Sequence, residues 1–274
     1  MTTKAPKLGR RGQAVLVSVL LAILSHSRAA AATATAPPLL GLVGGDFTIL
    51  RPGTAEVLGH ARYVFERDGA DEVLRGEDHY LDGEYDIETD HLESSASSGV
   101  PILAAYEHLY YAPGGAPMMS VGLDVKSGIG LCVHYSGDQA ETQSQSLSLP
   151  ADTYAGASLL IPIAYGLLRK QGDRISAHFF TCAPGPRLFA IQGKTRGAMR
   201  WEGYDGAAVL VELRPKLGWW DILIEPFVPK IRAWFDPANG FSYLGGEIQR
   251  YYRGPEVEFM RDRKAGGNPS TTSN

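Results

Sequence analysis

The chain of 274 residues carries only two cysteines, Cys132 and Cys182, which excludes a multi-bridge disulfide scaffold and a cysteine-rich zinc site. Long apolar runs are missing too. The most apolar stretch, AVLVSVLLAIL (Ala14 to Leu24), spans eleven residues, well short of the roughly 20 that a membrane-crossing helix needs. Positive charge is not in excess, with 26 basic residues against 30 acidic. No basic stripe interleaves with aromatics, so nucleic acid is disfavoured as a partner. The seven histidines (His26, His60, His79, His91, His108, His134 and His178) are scattered without HExxH or similar ligand spacing, and no metal or other cofactor is expected. Ser158 in AGASLL has Leu160 where a hydrolase nucleophile elbow needs glycine. No motif names a reaction.

What is present begins at the N-terminus. Lys4, Lys7, Arg10 and Arg11 precede the apolar run, and the small-residue stretch SHSRAAAATATA follows it. A basic head, short apolar centre and alanine-rich end are the parts of a secretory signal peptide. Residues 1–36 are therefore read as a signal peptide and flexible start, 37–261 as a single β-rich domain, and the polar 262–274 as a disordered tail. GRRGQAV lacks the residues of a twin-arginine signal, and no cysteine follows the run for lipid attachment. A periplasmic or secreted protein of the bacterial envelope is expected, with no integral span after leader removal. The leader holds five of the 26 basic residues and no acids, leaving 21 against 30 and a net charge near −9. Export permits a Cys132–Cys182 disulfide, and two buried free thiols are the alternative.

Beyond the leader the pattern alternates with period two and is punctuated by turns, as in an antiparallel β-protein. Strands are predicted at Ala55 to Arg67, Asp71 to Leu81 and Glu84 to Glu93, with Asp68-Gly69 and Asp82-Gly83 as hairpin turns. More follow at Ala104 to Tyr111, Met118 to Val125, Gly130 to Tyr135 and Thr142 to Leu149. LPADTYAGASLLIPIAYGLLRKQGD then reads as a helix, with Asp152 as N-cap, Leu159, Leu160, Ile163 and Leu167 as its stripe, and Gly172 as its end. Pro162 is expected to kink or split it. Strands resume at Arg174 to Thr181, Arg187 to Lys194, Ala198 to Tyr204, Ala207 to Arg214 and Trp220 to Glu225. Two or three more flank a turn at Pro237 to Gly240.

In DGEYDIETD, Asp82, Glu84, Asp86, Glu88 and Asp90 fall on one strand face and Tyr85, Ile87, Thr89 and His91 on the other. The carboxylates are read as a solvated outer face, because Ile87 stands where a calcium loop requires glycine. Thiol catalysis by a local pair fails on distance: His178 and Cys182 are about 13 Å apart along a strand, and Cys132 and His134 about 7 Å. FFTCAPGPRLF, with two prolines removing backbone donors, reads as a rigid hairpin corner rather than an anion cradle. If the sheet curves around the apolar helix, rings can line a concave face. The ligand-cavity candidates are Tyr135, Phe179, Trp201, Trp234 and Tyr252, with Arg187 as a polar contact. A filled aromatic core is the alternative.

GHARYVFERDG, the LPADTYAGASLL helix start after a strand meander, and AWFDPANGFSYLGGEIQRYY together resemble a family of exported bacterial proteins of unknown function. That family is similar in shape to the carriers that move lipoproteins across the periplasm. The resemblance covers most of Gly44 to Phe259 and implies a strongly bent antiparallel sheet closed over a helical segment. The expected fold is mainly β, a half-barrel or open barrel over one kinked helical segment. The expected function is a non-enzymatic carrier or binding protein for an apolar or amphipathic, lipid-like molecule or an acylated protein. Two alternatives stand beside it. One is an envelope hydrolase whose site converges only in three dimensions, with His134, His178, Cys132 and Arg187 as first suspects. The other is a structural envelope protein that presents its acidic face to a basic partner. Oligomeric state has no signature.

Overall fold

In the computed structural model the described residues are 42–68, 71–95, 99–170, 174–201, 204–216 and 231–262. The predicted leader, the Gly172 helix end, the Trp220 to Glu225 strand and residues 263–274 of the predicted tail lie outside them. By its internal contacts the chain divides into Met1–Ala36 and Pro37–Asn274, and every described residue belongs to the second unit.

Two antiparallel meanders make up one sheet. The first comprises β1 (Gly45–Leu50), β2 (Val57–Asp68), β3 (Asp71–Tyr80), β4 (Tyr85–Glu93), β5 (Ile102–Tyr111), β6 (Pro117–Asp124), β7 (Ile129–Ser136) and β8 (Gln139–Ser146). The second comprises β10 (Arg174–Cys182), β11 (Pro186–Arg200), β12 (Ala207–Pro215), β13 (Ile231–Asp236), β14 (Ser242–Gln249) and β15 (Glu256–Arg261). Pairing of β1 with β15, Phe47 opposite Arg261, fuses them into a sheet of 15 strands. The short β9 (Thr153–Ala155) adds to β10 in parallel, so β8 and β9 are the two free ends. The predicted strands at Arg187 and Ala198 are one long β11, with its register shifted between Thr195 and Ala198. A bulge there bends the strand without ending it.

The sheet does not close by hydrogen bonds, yet its two ends meet. Cys132 on β7 is disulfide-bonded to Cys182 on β10. The Phe180 ring lies over Gly130, where an added Cβ would stand 2.7 Å from it, and the Tyr154 hydroxyl on β9 donates to the Pro101 carbonyl at 2.9 Å. Packing, a staple and a side-chain hydrogen bond hold a seam where strand pairing is absent. The outermost β8, QAETQSQS, is polar and largely exposed, which guards that edge against adding another strand.

The helical segment differs from its predicted start. A 3-10 turn (Gly156–Leu159) leads into α1 (Leu160–Leu168), in which Ile161, Ile163, Ala164, Tyr165, Gly166 and Leu167 are buried. Asp152 does not cap it; its carboxylate meets His178 Nδ1 at 2.8 Å. Pro162 falls in the first turn of α1, where a backbone N–H has no intrahelical acceptor to lose. The helix can therefore be apolar on nearly every side and sit inside the curved sheet.

The main correction concerns β4. Its burial alternates so that Asp86, Glu88 and Asp90 face inward, at 3%, 4% and 0% exposure. Tyr85 and Thr89, set for the inside, face out, and Tyr85 stacks on Tyr111 with ring centroids 4.5 Å apart. Leu92 at 1% exposure shares the acidic face, and on neighbouring β3 Leu74, Asp78 and Tyr80 are buried together. Alternation leaves no choice once these apolar anchors are inside. An acidic face offered to a basic partner does not exist at these positions.

Candidate functional site

The inner face lines a half-open cavity of about 570 Å³. Its apolar lining comes largely from the second meander and the entry to α1: Phe179, Phe189, Ile191, Leu213 and Ile231, with Leu159 in the 3-10 turn and Leu160 at the start of α1. Its buried carboxyls come from the first meander, Asp78 on β3 and Asp86 and Glu88 on β4, beside His108 on β5, while Arg232, Glu247 and Gln249 on β13 and β14 and Arg250 just beyond β14 add polar groups from the second. The buried carboxyls thus belong to the first meander, and most of the apolar lining belongs to the second.

The polar wall is one connected network. His108 Nε2 donates to Asp86 Oδ1 at 2.8 Å, while His108 Nδ1 lies 3.0 Å from the hydroxyls of both Tyr106 and Tyr110. The other Asp86 oxygen accepts from Arg250 Nη2 at 3.4 Å, and Arg250 Nη1 also bonds Glu84. The Arg250 guanidinium rests 3.6 Å from the centre of the Tyr80 ring, a cation–π contact strengthened by burial. Glu88 Oε1 accepts the Ala157 backbone N–H at 2.6 Å, fixing the 3-10 turn against β4. Gly156, at φ +45°, is required there, because a Cβ would stand 2.2 Å from the Glu88 carboxylate.

Burial shapes the charge state of this wall. Asp78 is held well above the usual carboxyl range by burial first, and then by the negative charges of Asp86 and Glu88. Asp90 is raised in the same way by burial and by Glu88; neither of its oxygens accepts a well-formed hydrogen bond, since the Ser158 hydroxyl beside it donates to the Ala155 carbonyl at 2.5 Å. Burial opposes charge on His108, but its hydrogen bond to Asp86 and the charges of Asp86 and Glu88 outweigh that and raise its pKa. The wall therefore combines carboxyls pushed toward their neutral form with a paired, charged centre.

The sequence candidates separate. Phe179 and Tyr252 line the cavity, Tyr252 at 46% exposure. Trp201 and Trp234 stack on each other at 5.0 Å in a distinct cluster with Ala208, Leu210 and Leu244. Tyr135 is half-buried on β7, away from the cavity lining, and Arg187 is exposed on β11. The sulfur of Cys132 is tied up in the disulfide, His134 is exposed, and His178 pairs with Asp152. These first suspects for a hydrolase do not assemble. The residues that do assemble, Asp78, Asp86, Glu88, His108 and Arg250, were not singled out as a site. A usable signal existed in Leu74 and Leu92, whose parity carries the acids inward.

No model of a known protein family matches the chain, and no curated protein matches it. Among solved structures it is similar to a beta-barrel-like protein of domain of unknown function DUF1849 from Brucella abortus. The TM-score is 0.46 at 8% sequence identity, over 81% of this chain and 97% of that one. Among the described residues, no group of three or more His, Cys, Asp or Glu could hold a metal ion, and no helix is long and apolar enough to cross a membrane.

Proposed function

We propose that the protein is a non-enzymatic carrier or binding protein for an amphipathic, lipid-like molecule, acting in the bacterial periplasm after export. The observation that carries this reading is the cavity, with its apolar lining and its buried carboxyls. Its volume lies in the roughly 300–1,000 Å³ range of small-molecule sites, which pair apolar walls with a few placed polar groups. An apolar chain lying along Phe179, Phe189, Ile191 and Leu213 would leave water at about 0.8 kcal/mol per methylene. A polar end would meet the network around Asp86. No bond need be made or broken, and the His108–Asp86 pair faces tyrosine hydroxyls rather than a serine or thiol. The carrier reading is tested with a solvatochromic apolar dye: saturable, blue-shifted binding at one dye per chain supports it. A dye that fails to bind, or binds without saturation, overturns it.

A further inference from the structure

Inside the chamber, carboxyl groups outnumber their counterions. Asp78, Asp86 and Glu88 line it at or below 5% exposure; Asp90, buried on the same strand, and Glu84, joined through Arg250, lie outside the lining. The cations in contact with them are His108 and Arg250 alone among the described residues. Both are committed, His108 to Asp86 and Arg250 to Glu84 and Asp86. Arg232, also at the lining, is paired with Glu247 at 2.7 Å. Asp78 thus lines the cavity with no ion pair of its own, and the nearest cation to Glu88 is His108 Nδ1 at 3.7 Å.

A second observation is independent of the charge count. Asp78 Oδ1 and the Tyr80 hydroxyl are both buried, both belong to lining residues, and neither has a hydrogen-bond partner. Such orphaned groups cost free energy unless a ligand completes them. Around them stand the rings of Tyr63, Tyr106, Tyr110, Tyr243 and Tyr251, which also line the cavity. Carboxylates set among aromatic faces form the environment that recognises organic ammonium groups.

We propose that the polar end of the cavity binds a cationic head group, an amine or quaternary ammonium carried on an apolar body, seated against Asp78 and Glu88. The proposal rests on the carrier reading and deepens it. The cation supplies the counterion Asp78 lacks, and its apolar body lies along the apolar lining. Asp78 is faced by Tyr63 from β2, Tyr80 from its own strand, Asp86 and Glu88 from β4, and Arg250. Burial and the two acids favour its protonated form when the cavity holds no cation. A cation arriving beside it favours the ionised form, so binding releases a proton. Affinity then rises with pH, by at most about tenfold per unit for one proton.

The experiment uses three probes with the same tail and different heads: decyltrimethylammonium, decanol and decanoate. Each is titrated calorimetrically into the oxidised protein from roughly pH 6 to pH 8, in two buffers of different ionisation enthalpy so that proton release is read directly. The cation is expected to bind at least about tenfold more tightly than either other probe, with proton release and an affinity that climbs with pH. Asp78→Asn, which keeps the neutral shape, should abolish the proton release and the pH dependence of cation binding. Glu88→Gln is the second variant, should Asp78→Asn fail to fold, and it should lower cation affinity selectively. Equal binding of decanol and the cation, or tighter binding of decanoate, overturns the cationic head and leaves the carrier reading standing. Failure of all three probes to bind overturns both.

Discussion

The Cys132–Cys182 bond is the covalent link across a seam that lacks strand pairing, so its removal has a calculable cost. The bond joins positions 50 residues apart. Opening a loop of that length returns conformational entropy to the unfolded chain worth about 4 kcal/mol at room temperature. A domain of this size shifts its melting temperature by roughly 2–4 °C per kcal/mol. Reduction, or the double change Cys132→Ala with Cys182→Ala, should therefore lower Tm by roughly 8–16 °C. Thermal unfolding followed by circular dichroism, with and without reductant, measures this. Hydrogen exchange places it: amides of β7, β9 and β10 should lose protection first, while the β1–β15 junction, held by a full antiparallel ladder, keeps its own. A reduced protein melting within about 3 °C of the oxidised one would refute the reasoning, because aromatic packing of Phe180 over Gly130 would then hold the seam unaided.

Other predictions concern the polar wall and its surroundings. Asp78 and Asp90 have folded pKa values raised above their unfolded values, so the stability they contribute is complete below about pH 4 and is lost as pH rises through the folded values. His108, also raised, acts in the same sense above about pH 6.5. Urea unfolding across pH should thus show stability declining toward alkaline pH, with a shallower slope in Asp90→Asn. Gly156→Ala should destabilise by about 2 kcal/mol or more, because it combines a left-handed backbone with a clash against the buried Glu88 carboxylate. Chemical denaturation measures that loss. Trp234→Phe should leave dye affinity within about twofold while lowering stability by about 1 kcal/mol, since the Trp201–Trp234 stack packs outside the cavity lining. Loss of dye binding in that variant would place the chamber elsewhere.

Most strand positions were legible because turns announce themselves. Asp82-Gly83 and the Pro237 to Gly240 turn, with Gly240 at φ +59°, fall where the hairpin chemistry requires them. The open curvature over a buried helix follows from an apolar segment too short to lie outside such a sheet. Less legible was β9, a three-residue strand inside what reads as a helix start: Asp152 has the chemistry of an N-cap and instead meets His178. The site was misread for one physical reason. Alternate acids ordinarily face water, and their partners here, His108 and Arg250, lie 22 and 164 residues away from Asp86. No local pattern reveals such partners. The parity of Leu74 and Leu92 does place the acids inside, and it outweighs the residue-type rule because a strand cannot turn one residue without turning the rest.

On the carrier reading the cavity holds a ligand, and filling the cavity expels it. Val121, at 5% exposure, lines that space, and Val121→Trp would place an indole within it. Native mass spectrometry of protein purified from its expression host without detergent compares the two chains directly. A discrete bound mass is expected on the wild-type chain and not on the folded variant. An unliganded wild-type chain, or the same adduct on both, would contradict that reading.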